Sequence, residues 1–221
     1  MKKLTIIAGW LVLGFLTLTA QVATTEQEQA YLEVLKNRSE KILDDYVQLP
    51  HGAAREKERS LLVKQYWELN KVHDDTDARV KELKQRELTE KKATKKIERE
   101  KRKATRKLKK LQKKFLANLS KELNSIQIDG IKDGMTLGAL NHNYRGFTEM
   151  IPALSDEEKA YICNELLKAR DEAMNMGSSE DKLSIFRKYK GRINNWLSGE
   201  RGYDLKKEGD AWRERIKLSG D

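Results

Sequence analysis

Residues 84–107, KQRELTEKKATKKIEREKRKATRK, carry Leu88 and Ile97 as their only large apolar side chains. Lys, Arg, Glu and Gln favour helix, but a helix of this composition has almost nothing to bury. The flanks are different. Leu61, Leu62, Tyr66, Leu69, Val72, Val80 and Leu83 form an apolar stripe before it, and Leu108, Leu111, Phe115, Leu119 and Leu123 form another after it. Two stripes separated by a water-loving span predict an antiparallel helical hairpin between Ala53 and Leu123, with its tip in solvent. The turn is expected near Lys91 to Lys95, where no Gly or Pro marks it.

Similar periodicity extends in both directions. Tyr31, Val34, Leu35, Ile42, Leu43 and Tyr46 predict a helix over Thr24 to Val47, broken by Gln48-Leu-Pro-His-Gly52. Asp129 to Gly134 suggests a short helix, and Leu137 to Gly146, rich in Gly and Asn, an irregular connection that is locally extended. Ser155-Asp-Glu-Glu158 is a capping box opening a helix that runs to about Met176 and ends at Gly177. Further helices are expected from Ser179 to Leu197, and after Asp204 through Trp212 and Ile216. With no alternating pattern long enough for a sheet, the expectation is an all-α helical bundle. It comprises a long-hairpin part, 24–123, and a C-terminal helical part, 124–221, the latter containing the short irregular Gly/Asn-rich connection.

Residues 1–20 have the make-up of a secretory signal: Lys2 and Lys3, an apolar run from Leu4 to Leu18, and Ala20 before the expected cut. Cleavage after Ala23 is the alternative, and an uncleaved anchor the competing reading. The only cysteine, Cys163, excludes an internal disulfide and a lipid anchor near the cut, and its apolar neighbours predict a buried thiol. The expectation is a periplasmic or secreted protein with no transmembrane segment after cleavage. The formal charge is +10, and residues 79–114 alone hold 18 Lys or Arg against 5 Glu. Such a run suits phosphate contacts, but the export signal, the interspersed glutamates and the absence of aromatics between Trp67 and Phe115 argue against nucleic acid. A solvated face, or attraction to acidic glycans or lipid headgroups, is expected instead.

Tyr66-Trp-Glu-Leu-Asn-Lys-Val-His-Asp-Asp75, Lys132-Asp-Gly-Met-Thr136, Phe147-Thr-Glu-Met-Ile-Pro152, Lys188-Tyr-Lys-Gly-Arg-Ile-Asn-Asn-Trp-Leu197 and Gly202-Tyr-Asp-Leu-Lys206 occur in that order. Over Thr24 to Lys217 the chain resembles the exported family known as domain of unknown function 3826, found mainly in Bacteroidota. The resemblance implies a sugar-binding protein associated with polysaccharide utilisation, and it brings no catalytic residues. The span from Lys84 to Lys110 carries none of these landmarks.

Three groups of residues are candidates for ligand contact. Tyr66, Asn70, His73, Asp74 and Asp77 share one helical side and offer a hydroxyl, an amide, an imidazole and carboxylates for sugar hydroxyls. The alternative packs Tyr66 in the core and pairs His73 with Asp77 on the surface. His73 and Asp77 also have two-ligand metal spacing, but only His51 and His142 remain as imidazoles, which falls short of a metal motif. Asn141, His142, Asn143, Tyr144 and Arg145 gather polar groups on an expected loop, where plain turn chemistry explains them equally well. Arg192, Asn195 and Trp196 combine a stacking ring with two hydrogen-bonding groups, although Trp196 also fits a core stripe with Phe186 and Ile193.

No nucleophile signature, phosphate-cradling Gly loop or cofactor motif is present. Acid pairs such as Asp74 and Asp77 do not by themselves imply glycoside hydrolysis. The expected function is therefore non-enzymatic binding of a carbohydrate or anionic glycan. The other class is a periplasmic helical-hairpin adaptor or chaperone-like protein that holds other envelope proteins.

Overall fold

The computed structural model describes residues 26–219, so the signal-like segment 1–20 and both cut positions lie outside the described residues. These residues form eight helices and no strand, an all-α bundle. Helix α1 spans 26–47, and its last turn, Leu43–Val47, is a π-helix closed by left-handed Gln48. There follow α2 (Ala53–Gln85), α3 (Glu90–Leu119), α4 (Ser125–Met135), α5 (Ala139–Met150), α6 (Asp156–Ala173), α7 (Ser179–Gly199) and α8 (Leu205–Ser219). Among the described residues no helix is long and apolar enough to cross a membrane.

Helices α2 and α3 make the hairpin. The 33 residues of α2 extend about 50 Å at 1.5 Å per residue. The turn is not at Lys91 to Lys95 but at Arg86 to Thr89. Arg86 is extended, and Thr89 is the extended N-cap of α3, its carbonyl accepting from the Ala93 N–H at 2.9 Å. A Thr followed by Glu is a helix start that needs neither Gly nor Pro. Between Val72 on α2 and Leu108 on α3, the arm buries only Leu83 and Ala104, and Arg79 meets Glu100 across it at 4.0 Å.

Two apolar cores hold the rest. The first contains Leu35, Ile42 and Leu43 of α1, Leu62, Tyr66 and Leu69 of α2, Leu108, Phe115 and Leu119 of α3, and Ile131 and Met135 of α4. The second contains Leu140 and Phe147 of α5, Ile162 and Leu166 of α6, and Phe186, Ile193 and Leu197 of α7. Arg55, almost fully buried, ties α2 to α1 through Glu40 (2.5 Å), Asp44 (2.6 Å) and the Leu49 carbonyl (2.7 Å).

The Gly/Asn-rich connection is much shorter than expected. Only Thr136 to Gly138 turn between α4 and α5, with Leu137 and Gly138 both left-handed (φ 63° and 64°). Asn141, His142, Asn143, Tyr144 and Arg145 therefore lie on helix α5, not on a loop. Burial of Ala139, Leu140 and Phe147 along one side of α5 overrides the weak helix preference of Asn and Gly. The Ser155–Glu158 capping box forms as expected, and a second, Asn124–Gln127, opens α4. Asp204 accepts from the N–H groups of Lys206 and Lys207 and caps α8. Cys163 is half-buried rather than enclosed, and Leu183 is exposed.

Helix α4 lies unusually close to the end of α1. A Cβ on Gly130 would overlap the Tyr46 carbonyl oxygen, and one on Gly134 would come within 2.8 Å of Ile42 Cγ2. Gly191, inside α7, has nothing within 4 Å of the same position. Gly130→Ala is therefore expected to lower unfolding free energy by about 1–3 kcal/mol through overpacking. Gly191→Ala should raise it by about 0.5–1 kcal/mol by restricting the unfolded chain. Urea unfolding of both variants measures the contrast, and equal effects would refute the close approach.

Candidate functional site

Two openings lie along the seam between α1 and α2, and their chemistry differs. The first is a groove of about 460 Å³ lined by Gln27, Glu28, Tyr31, Trp67, Asn70, Lys71, Asp74 and Asp75. Tyr31 and Trp67 stand 5.8 Å apart with their planes tilted by 41°. Both are half-buried against the first core, so packing fixes the rings while part of each remains open. Asn70 donates to Asp74 at 3.0 Å, which orients its amide. Burial raises the Tyr31 pKa, Arg38 opposes it and Asp74 adds to it, so the phenol is a neutral donor and acceptor.

The second opening is a cavity, also about 460 Å³, one helical turn away on α2. Asn37, Arg38, Lys41, Ile42 and Tyr46 of α1, Tyr66 of α2, Gly134 and Met135 of α4, Leu137, and Ser179 and Lys182 of α7 line it. Tyr66 is its buried wall. Arg38 lies 5.4 Å and Lys182 5.2 Å from the centre of its ring, and burial pushes its hydroxyl up to about 12. Lys182 is 3% exposed and donates to the Met135 carbonyl at 2.8 Å. Burial, with some repulsion from Arg38, lowers its pKa to about 8.

The five residues expected on one side of α2 thus divide among four surroundings. Tyr66 walls the cavity, and Asn70 and Asp74 line the groove. His73 is held by Asn175, its Nε2 lying 2.8 Å from that carbonyl oxygen, and it packs on Gly177, so it does not pair with Asp77. Asp77 is exposed. From Tyr66 to Asp77 the helix advances about 16 Å, far enough for its neighbours to change completely.

The other two groups lie elsewhere. On α5, Asn143 donates to the Ala139 carbonyl at 2.6 Å, Tyr144 packs on the second core, and Asn141 and His142 are exposed. Trp196 is half-buried, stacked on Tyr161 with ring centres 3.8 Å apart, and has Arg201 5.2 Å from its ring. Arg192 lies 4.6 Å from the Tyr189 ring, and Asn195 is exposed. The core-packing alternative describes Trp196 well. The three groups do not converge, and the openings draw instead on Tyr31, Trp67, Arg38, Lys41 and Lys182. Trp67 stands inside the Tyr66–Asp75 landmark, a signal available in the sequence. Lys182 sits in a charged helix start and carries no such signal. Among the described residues, no three His, Cys, Asp or Glu side chains gather as a metal site.

The depressed Lys182 pKa has a consequence for stability. The folded chain releases this proton near pH 8, whereas the unfolded chain keeps it until the ordinary lysine value of 10.5. The unfolded state binds more protons in that window, so stability rises with pH between those limits by about 3 kcal/mol. The raised Tyr66 pKa works in the opposite direction only above its ordinary value of 10.0. Urea melts of the protein and Lys182→Met across this range should differ by that rise. Parallel profiles would show Lys182 to be solvated.

No curated protein matches the chain. A family model described as a protein of unknown function, DUF3826, matches residues 32–218, nearly the whole of the described bundle, and the chain belongs to that family.

Proposed function

We propose that this is an exported, non-enzymatic carbohydrate-binding protein that holds a sugar in the groove between α1 and α2. The observation that carries the reading is the Tyr31–Trp67 pair bordered by an amide and carboxylates. A sugar ring has apolar C–H faces and a rim of hydroxyls. Aromatic rings suit the faces, while Asn70, Asp74 and Asp75 supply acceptors and a donor for the rim. Preset groups lose little freedom on binding, and Asn70 is already held by Asp74. The signal-like N-terminus over residues 1–20 supports export.

Calorimetry or a glycan array with neutral oligosaccharides tests this reading. Trp67→Ala should weaken binding about tenfold or more, as should Asp74→Asn, with the helical circular dichroism spectrum retained. Binding indifferent to both substitutions would remove the groove from the function. A second reading rests on the basic arm: the α2–α3 hairpin extends past the first core with few buried residues and a net charge of +13 over residues 79–114. Protection of unfolded envelope proteins without sugar binding would favour that adaptor role.

A further inference from the structure

Buried or half-buried cations elsewhere in the bundle meet carboxylates. Arg55 has Glu40 and Asp44, Arg170 has Asp129 and Asp133, and Lys132 has Asp129 and Asp171. The cavity beside Tyr66 breaks that pattern. Arg38, Lys41 and Lys182 all line it, and among the described residues none of the three has an ion-pair partner and no carboxylate lines the cavity. Lys182 is more than nine-tenths buried, and its hydrogen bond to the Met135 carbonyl uses one of three ammonium protons. Holding a charged amine in such a place is costly unless a counter-charge arrives. The carboxylates of the first turn of α7 are engaged elsewhere, Asp181 with Ser178 and Glu180 with Arg187.

The backbone adds to the same field. Ser179, the first residue of the 21-residue helix α7, lines the cavity, so the positive end of that helix lies at its edge. Arg38 and Lys41 come from α1 and Lys182 from α7, so two helices bring the three cations to one cavity. The Tyr46 hydroxyl group is close by, lying 3.2 Å from where a Gly138 Cβ would be. We propose that this cavity is an anion site that takes a single carboxylate, sulfate or phosphate group carried by a small molecule or a glycan end. Its volume exceeds that of a bare oxyanion, so the charged group would sit against Lys182 with its carrier toward the opening lined by Lys41 and Leu137. This site is separate from the sugar groove and does not rest on that reading.

Calorimetric titration of the mature chain at low ionic strength tests it, with D-glucuronate, D-glucose 6-sulfate, D-glucose 6-phosphate and inorganic phosphate as probes and D-glucose as the neutral control. At least one anion should bind with a Kd below about 1 mM, at least about tenfold tighter than glucose, and weaken with added salt. The ranking of the probes separates carboxylate, sulfate and phosphate sources, and inorganic phosphate distinguishes a bare ion from a carried one. Arg38→Gln with Lys41→Gln, both at exposed positions, should weaken binding about tenfold or more without unfolding the chain. Lys182→Met should abolish it, whereas Trp67→Ala and neutral replacements on the hairpin arm, Lys95→Gln with Lys96→Gln, should leave it unchanged. Absence of any anion binding with a Kd below about 1 mM overturns the proposal, as does binding lost with the arm lysines but kept without Arg38 and Lys41.

Discussion

The end of helix α6 joins the two cores, and the cavity beside Tyr66 depends on that joint. Arg170, buried at 4% exposure, reaches from α6 to Asp133 at 2.8 Å and Asp129 at 2.6 Å on α4. One turn on, Met174 is fully buried in the first core although it follows a helix of the second. Asn175 then donates to Gln112 of α3 at 2.9 Å, while its carbonyl meets His73 of α2. Breaking a buried, doubly paired arginine leaves uncompensated charges, so this joint strongly resists shear between the two halves.

From that joint the chain turns at Gly177 and starts α7 against the first core. The start of α7 is fixed by Ser178, whose hydroxyl accepts from the Asp181 N–H at 3.0 Å, and by Lys182, which reaches Met135 of α4. A helix whose body belongs to the second core thus presents its first turn to Tyr66 and to Arg38 on α1. The cavity exists because two separately packed halves meet there without filling the space. Fixed charges at such a boundary belong to neither core. This explains how the fold tolerates Lys182 without a carboxylate when Arg55 and Arg170, within the helical packing, each require two.

Much of this architecture could be read from periodicity. The apolar stripes on either side of Lys84–Lys107 specify the hairpin, and Ser155 with Glu158 specifies the start of α6, because these signals act over a few residues. The turn at Arg86–Thr89 escaped because its cue, a Thr before Glu, is weak among so many lysines. Asn141 to Arg145 suggested a loop because Asn and Gly disfavour helix, yet tertiary burial of Leu140 and Phe147 decided the matter. Helical spacing puts Asn70 and Asp74 on one side of α2, but the groove they line is not legible there, because it also needs Tyr31 from α1 and Trp67. The cavity was not identifiable, because its cations come from Arg38 and Lys182, far apart in sequence and brought together only by the α6 joint.

The two openings share a seam but have opposite electrostatics, and that limits what each accepts. Glu28, Asp74 and Asp75 make the groove acidic apart from Lys71, so an anion entering it would face repulsion while a neutral polyol would find acceptors. Arg38, Lys41 and Lys182 reverse the sign around Tyr66. Arg38 acts on both sides of the boundary, since its charge is felt by Tyr31 in the groove and by Lys182 in the cavity. An anion beside Lys182 would offset the Arg38 charge and so alter the field at Tyr31. Coupling of this kind is reciprocal: whatever one occupied opening does to the affinity of the other is returned in equal measure. The seam between α1 and α2 is therefore better described as one electrostatic unit with two chemically distinct mouths than as two unrelated depressions.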